Sequence, residues 1–381
     1  MCRRALATSR ASCSEMVDRA SLDDFAGTAR AADERPSGVR TEDFDYALDE
    51  RRIAQHPLPA RDASRLLVVR RLDPSIEDRV FKSLPALMEP GDVLVLNETR
   101  VFPARLLGHK PTGAAAEVLL IDRVDGEGHV WRALVRPGGK LKPGRLVNVG
   151  EDLDLEIEDS TADGARIVRL ITSMPPFDAI YRYGHVPLPP YIRREDDEAD
   201  RMRYQTVYAR ERGSIAAPTA GLHFTEDVLG AVLSRGIEIA RLTLHVGPGT
   251  FRPVEAADPA EHHLETERYR IEPAAADLIN RTREGGGAIW AVGTTTVRAL
   301  ETVVGADGLI TPGEGATDLF VRPGHEFRAV DRIVTNFHLP RSTLLMLVAA
   351  FAGYELTMAA YKHAVEEGYR FYSYGDAMVV I

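Results

Sequence analysis

Cysteine is almost missing from this chain of 381 residues, and the two present, Cys2 and Cys13, both sit near its N-terminus. That excludes a disulfide-stapled scaffold and a cysteine-ligated metal centre elsewhere, and it fits a reducing cytoplasm. Long apolar runs are missing too. None approaches the ~18 residues that a membrane-crossing helix needs, and the longest, Leu344 to Gly353, suits a buried helix. Positive charge is in the minority. With 47 Lys and Arg against 57 Asp and Glu, the net charge of −10 argues against indiscriminate nucleic-acid binding. Several catalytic signatures are also absent. No G-x-G-x-x-G lies between a strand and a helix, and no G-x-x-x-x-G-K-[ST] occurs, so a common dinucleotide or nucleotide-triphosphate site is not indicated. The lack of G-x-S-x-G disfavours an ordinary α/β hydrolase, and without His-Glu-x-x-His spacing metal binding is not expected.

What is present reads as a soluble globular protein, 44% hydrophobic and 27% charged, long enough for two domains. Residues 1–40 are poor in large apolar residues and read as a disordered extension. Arg3, Arg4 and Arg10 with only Glu15 opposing them faintly suggest a transit peptide. The acids that follow favour a translation start at Met16 or later instead.

From about 71 to 172, short β-rich runs alternate with turns such as Glu89-Pro-Gly-Asp92, Asp125-Gly126 and Pro143-Gly144. This is the texture of a small all-β barrel. The expected architecture is therefore a mixed α/β core, residues 41–70 plus 173–381, with a barrel inserted over 71–172. Charge reverses inside the barrel. Between Arg100 and Arg145 nine Lys and Arg face four acids, a local balance of +5. That suits a polyanion such as RNA about as well as it suits a solvated face with scattered charges.

Three stretches carry the chemistry. Pro218-Thr-Ala-Gly-Leu-His-Phe-Thr225 reads as a loop ending at an N-cap threonine, with Glu226 and Asp227 in the first helical turn. Ala288–Val292 is a buried strand followed by Gly293-Thr-Thr-Thr296 at a helix start, with Arg298 just inside. Ile333–Thr335 leads into Asn336–Thr343 and another helix. Ligands of open α/β sheets bind beyond the carboxyl ends of the strands, where helix N-termini offer free amides to an anion. For one such loop ordinary capping is the better explanation; Arg298, His338 and Arg341 move the balance toward a site. His223, His245, His263 and His338 are the acid–base candidates, since imidazole titrates nearest neutrality. His223 and His338 lead because they lie in loops at helix starts, and Glu261-His262-His263 also reads as a surface pair.

Together these stretches resemble one family, the S-adenosylmethionine:tRNA ribosyltransferase-isomerases of queuosine biosynthesis. The matching pieces are Leu94–Arg105, Tyr204–Tyr208, Ala217–Thr225, Thr243–Phe251, Val292–Arg298, Thr335–Thr343 and Tyr374–Met378, in family order from about Thr41 onward. The resemblance implies transfer and isomerisation of the ribosyl group of S-adenosylmethionine onto 7-aminomethyl-7-deazaguanine at the tRNA wobble position. Adenine and methionine leave, and epoxyqueuosine-tRNA forms. S-adenosylmethionine is then a co-substrate, no cofactor is required, and a monomer with no membrane attachment is expected.

Fitted to that chemistry, His223 and His338 are the expected base and acid. Arg298 with the amides of Thr294, Thr295 and Thr296 would hold the methionine carboxylate. Phe224, Phe251 and Phe337 would line a dry sulfonium pocket, and Thr219, His245 and Arg341 complete the candidates for S-adenosylmethionine. Arg100, Arg105, Lys140 and Lys142 are expected on tRNA phosphates, although Asn97 and Arg105 could equally tie barrel to core. A tRNA methyltransferase and a noncatalytic RNA-binding module are the competing classes.

Overall fold

The computed structural model describes residues 39–381, apart from Arg252, Pro253 and the side chains of Thr250 and Phe251. The expectations for residues 1–38, including the start at Met16, lie outside the described residues.

In chain order, β1 (Arg65–Arg70) and β2 (Ser75–Val80) form a hairpin, and β3 (Val93–Asn97) and β4 (Thr99–Val101) lead into a barrel. The barrel strands are β5 (Arg105–His109), β6 (Ala115–Arg123), β7 (Val130–Arg136), β8 (Leu146–Gly150), β9 (Leu153–Ser160) and β10 (Arg166–Ile171). Two short helices, α1 (Pro176–Tyr183) and α2 (Asp200–Arg203), precede β11 (Glu211–Ser214), α3 (Glu226–Ser234) and β12 (Glu238–Leu244). Then come β13 (Glu267–Ile271), α4 (Pro273–Glu284), β14 (Ile289–Val292), α5 (Thr294–Val303), β15 (Gly313–Thr317) and β16 (Arg332–Asn336). The chain closes with α6 (Thr343–Ala352), α7 (Tyr354–Glu366) and β17 (Ala377–Val380).

Nine of these strands form one sheet in the order β15-β13-β12-β3-β14-β16-β17-β1-β2. Its centre, β12-β3-β14-β16, is parallel. Successive side chains of a strand point to opposite faces, and β3 shows it: Val93 and Val95 enter one apolar layer, Leu94 and Leu96 the other. The expected mixed α/β core with an all-β barrel is what the chain forms.

The barrel is narrower at its start than the 71–172 read from sequence. β2 and β3 belong to the main sheet, with β3 at its heart. The distinction was physically available: Val-Leu-Val-Leu-Asn is continuously buried, as a strand covered on both faces requires, whereas β9 alternates. At the other end, Ala179 and Ile180 of α1 pack into the barrel core, so that unit reaches past 172. Residues 370–373 form a loop with one bridge, Ile53 to Phe371, and the terminal strand begins at Ala377. Among the described residues, no single helix is long and apolar enough to cross a membrane.

Candidate active site

Because β3, β12, β14 and β16 run parallel, their carboxyl ends share one edge of the sheet. The loops leaving that edge build a cleft of about 340 Å³. Thr219 and Ala220 wall one side, Gly293, Thr294 and Thr295 another, and Thr335, Asn336 and His338 a third, with Val246 beside them. All three loops singled out in the sequence thus meet. The Pro218–Thr225 loop gets there differently from the others. It follows β11, which pairs only with β4, and Ile215 then bonds the carbonyl of Val246 beside the end of β12.

Gly293 makes the strand-to-helix turn at φ 89°, a conformation that a side chain resists. α5 starts at once, so the amides of Thr294, Thr295 and Thr296 have no carbonyl four residues back within the helix. Thr294 and Thr295 line the cleft. Thr296 is fully buried and its hydroxyl returns to the Val292 carbonyl at 2.6 Å. The amides and the positive helix end suit a carboxylate.

His223 and His338 are both buried, and burial lowers each to about 3, so both are neutral imidazoles at ordinary pH. Their settings differ. His223 uses both ring nitrogens: Nδ1 is 2.8 Å from Ser64 Oγ and Nε2 is 3.0 Å from Asn336 Nδ2. The Asn336 amide also donates to the Tyr372 carbonyl and accepts from Thr219 Oγ1, which makes Nδ2 the NH₂ end and assigns Nε2 of His223 as acceptor. His338 lines the cleft. Its Nε2 meets Thr335 Oγ1 at 2.9 Å, and Nδ1 has no hydrogen-bond partner among the described residues. Its backbone is pinned by Tyr361, which accepts from the amide, and by Tyr46, which donates to the carbonyl.

Several expected contacts lie elsewhere. The Arg298 guanidinium pairs with buried Glu267 and donates to the carbonyls of Leu319 and Thr317. It borders a separate cleft with Leu264 and Leu347, so it does not join the Thr294–Thr296 amides. Phe224 packs on Phe81, and Phe337 among Tyr361, Tyr369 and Phe371; both are wholly buried core residues rather than pocket lining. The Phe251 side chain lies outside the described residues. Arg341 is exposed and pairs with Asp45. His245 is held by Thr99 Oγ1 at 2.8 Å, next to rather than in the cleft, and burial lowers its pKa.

On the barrel side, Arg100, Lys140 and Lys142 are exposed, whereas Arg105 is bound to Glu117 through two bonds of 3.0 and 3.3 Å. Asn97 does not tie barrel to core: its amide bridges Leu244 backbone, the Thr99 amide and Thr295 Oγ1, all outside the six barrel strands. Sequence reading did not single out Asn336, Ser64 or Thr335 as site residues. Asn336 had one usable signal, an amide side chain at the end of a buried strand. Ser64 had none, being 159 residues from its partner His223.

Fold and cleft define an α/β enzyme core with an attached barrel, in which the N-terminus of α5 opens on the cleft at the carboxyl edge of the sheet. The queuosine biosynthesis protein family matches residues 41–380, and the chain belongs to that family. It is 53% identical over 345 residues to the S-adenosylmethionine:tRNA ribosyltransferase-isomerase of Symbiobacterium thermophilum, covering 90% of this chain and 100% of that one. The protein of the same name from Moorella thermoacetica is 52% identical over 346 residues, with coverage of 90% and 100%. The crystal structure of S-adenosylmethionine tRNA ribosyltransferase from Thermotoga maritima is similar at 39% identity and a TM-score of 0.51, over 89% of this chain and 100% of that chain.

Proposed function

We infer that the chain is an S-adenosylmethionine:tRNA ribosyltransferase-isomerase. It moves the ribosyl group of S-adenosylmethionine onto the aminomethyl group of 7-aminomethyl-7-deazaguanine in tRNA, rearranges it to the epoxycyclopentanediol of epoxyqueuosine, and releases adenine and methionine. The observation that carries this reading is convergence. Four of the seven stretches that resemble the family, those at 217–225, 243–251, 292–298 and 335–343, line one cleft, and a fifth reaches it through Asn97 and Thr295.

The geometry supports the following residue roles. The sulfonium of S-adenosylmethionine acidifies the neighbouring ribose methylene, so a neutral base facing the cleft is needed. In the tautomer that donates Nε2–H to Thr335 Oγ1, His338 presents an unengaged Nδ1 lone pair for that role. His223 acts through Asn336, fixing the amide that Thr219 also holds. The carboxylate of the methionine part binds at the Thr294–Thr296 amides. S-adenosylmethionine is the co-substrate and no resident cofactor is called for, because the sulfonium is itself the activating group. The enzyme is read as a cytoplasmic monomer.

The test is incubation with tRNA carrying the precursor base and labelled S-adenosylmethionine. Epoxyqueuosine with free adenine and methionine is the expected result. S-adenosylhomocysteine would make the chain a methyltransferase, and tRNA binding without turnover would make it a binding module.

A further inference from the structure

His223 stands between two clefts. It hydrogen-bonds Asn336 of the first and itself lines a second, of about 270 Å³, together with Arg61, Arg203 and Arg370. The three guanidinium groups mostly meet neutral carbonyl oxygens. Arg61 donates to Met202 at 2.9 Å and Leu222 at 3.1 Å, and Arg203 to Leu58 at 2.6 Å and Pro59 at 3.0 Å. Arg370 donates to Tyr374 at 2.8 Å and His56 at 3.3 Å. Among the described residues one carboxylate approaches. Asp376 Oδ1 is 3.9 Å from Arg370 Nε and already accepts from the Arg65 amide. Among the described residues Arg61 and Arg203 have no carboxylate partner, and Arg203 Nε is buried without an acceptor.

Three part-buried cations thus face one distant anion. Uncompensated burial of charge is unfavourable, and its effects are visible. Burial and then the neighbouring Arg203 disfavour the charged form of Arg61, and after burial Arg370 and Arg61 both oppose protonation of His223. A bound oxyanion would relieve all of this, and the planar guanidinium fork is matched to phosphate. We propose that the Arg61–Arg203–Arg370 cleft is an oxyanion site that takes a phosphodiester of the nucleic-acid substrate, next to the nucleotide presented to the first cleft. This rests on the tRNA reading given above. The choice of phosphodiester over carboxylate follows from supply. The one carboxylate of the co-substrate has the Thr294–Thr296 amides, so a second oxyanion site corresponds to the second substrate.

The full chain is titrated with inorganic phosphate at ionic strength held constant with NaCl, and thermal unfolding is followed. The midpoint is expected to rise with phosphate in the wild type and to stay flat in Arg203→Gln. In parallel, tRNA affinity is measured across NaCl concentrations. Arg61→Gln and Arg203→Gln should each lower the slope of log K against log salt by about 0.7 to 0.9, the loss of one phosphate contact, with S-adenosylmethionine affinity unchanged. Arg203→Lys, which keeps charge without the fork, should retain most of the slope. A wild-type midpoint indifferent to phosphate, or unchanged slopes in folded variants, reduces the arginines to loop staples and overturns the proposal. Weakened S-adenosylmethionine binding with normal tRNA slopes overturns the phosphodiester assignment. Failure of the enzymatic reading would show separately, as a wild type that makes no epoxyqueuosine.

Discussion

The side-chain amide of Asn336 joins His223 to Thr219: its Nδ2 lies 3.0 Å from His223 Nε2, and its Oδ1 accepts from Thr219 Oγ1 at 2.9 Å. A residue on the strand β16 thereby links two positions of the Pro218–Thr225 loop, and the Tyr372 carbonyl fixes which way the amide points. Asn336→Ala removes the link and leaves His223 Nε2 without its donor. Turnover should fall by about 10- to 100-fold, while tRNA binding is kept. Asn336→Asp puts a carboxylate against the ring, which favours the imidazolium; kcat should then acquire a pH dependence in the range where His223 begins to protonate. Rate–pH profiles of both variants decide the matter, and a wild-type profile for either would remove Asn336 from the site.

Stability should be acid-sensitive in a window set by the two histidines. Each is lowered to about 3 by burial, against an ordinary value of about 6.5 when unfolded. Between those values the unfolded chain binds more protons than the folded one. The free energy of unfolding therefore rises with pH there, and stability is lost as pH falls through the window. Urea midpoints at pH 7, 5.5 and 4.5 should decline, before most carboxylates titrate. His223→Gln should flatten part of that decline even if its midpoint at pH 7 is lower; an unaltered slope would mean that His223 ionises freely in the fold.

Arg298 reads differently once folded. Its guanidinium and the Glu267 carboxylate are both almost wholly buried, and Glu267 also accepts from the Gly247 amide at 3.0 Å. Removing one member of such a pair strands the other charge, at a cost of about 3–5 kcal/mol. Arg298→Ala is expected to lower the thermal midpoint strongly. Arg298→Met combined with Glu267→Gln should recover part of the loss, and the fraction that folds should bind S-adenosylmethionine normally by calorimetry. Weak binding by a fully folded Arg298→Ala would restore the arginine as a carboxylate clamp.

These residues show which parts of the site could be read from the chain and which could not. Loops at helix starts are legible because capping chemistry is local, and Thr225 does cap α3 through the Val228 amide at 3.2 Å. Convergence of two of them was also legible, since the parallel strands β14 and β16 place their ends at one edge, whereas the Pro218–Thr225 loop follows β11, outside that sheet, and only the family resemblance put it there. Partner choice was not. Arg298 looks the same in sequence whether it meets a ligand or Glu267, 31 residues away. Phe224 and Phe337 carry no mark distinguishing a ring that lines a pocket from one that fills the core. The barrel boundary failed for a milder reason, because the continuously apolar β3 was grouped with alternating strands that merely follow it.

The barrel surface gives the last contrast, between cations of the same local cluster. Arg105 is held by Glu117 through two hydrogen bonds, so its charge is already matched and its fork is occupied. Lys140 and Lys142 are exposed, lie on the connection between β7 and β8, and make no ion pair among the described residues. If tRNA docks on this face, each lysine that neutralises a phosphate contributes about 0.7 to 0.9 to the slope of log K against log salt. Lys140→Glu with Lys142→Glu should reduce that slope by one to two such increments, weakening binding most at low salt, because reversal adds repulsion to the lost contact. Arg105→Ala should leave the slope alone and instead lower the thermal midpoint slightly, since a half-exposed ion pair contributes little and Glu117 can regain water. Filter binding across a salt series on the three proteins separates these outcomes. A slope lowered by Arg105→Ala but not by the lysine reversals would place the docking face at the junction of barrel and core, near exposed Arg100, rather than at the barrel tip.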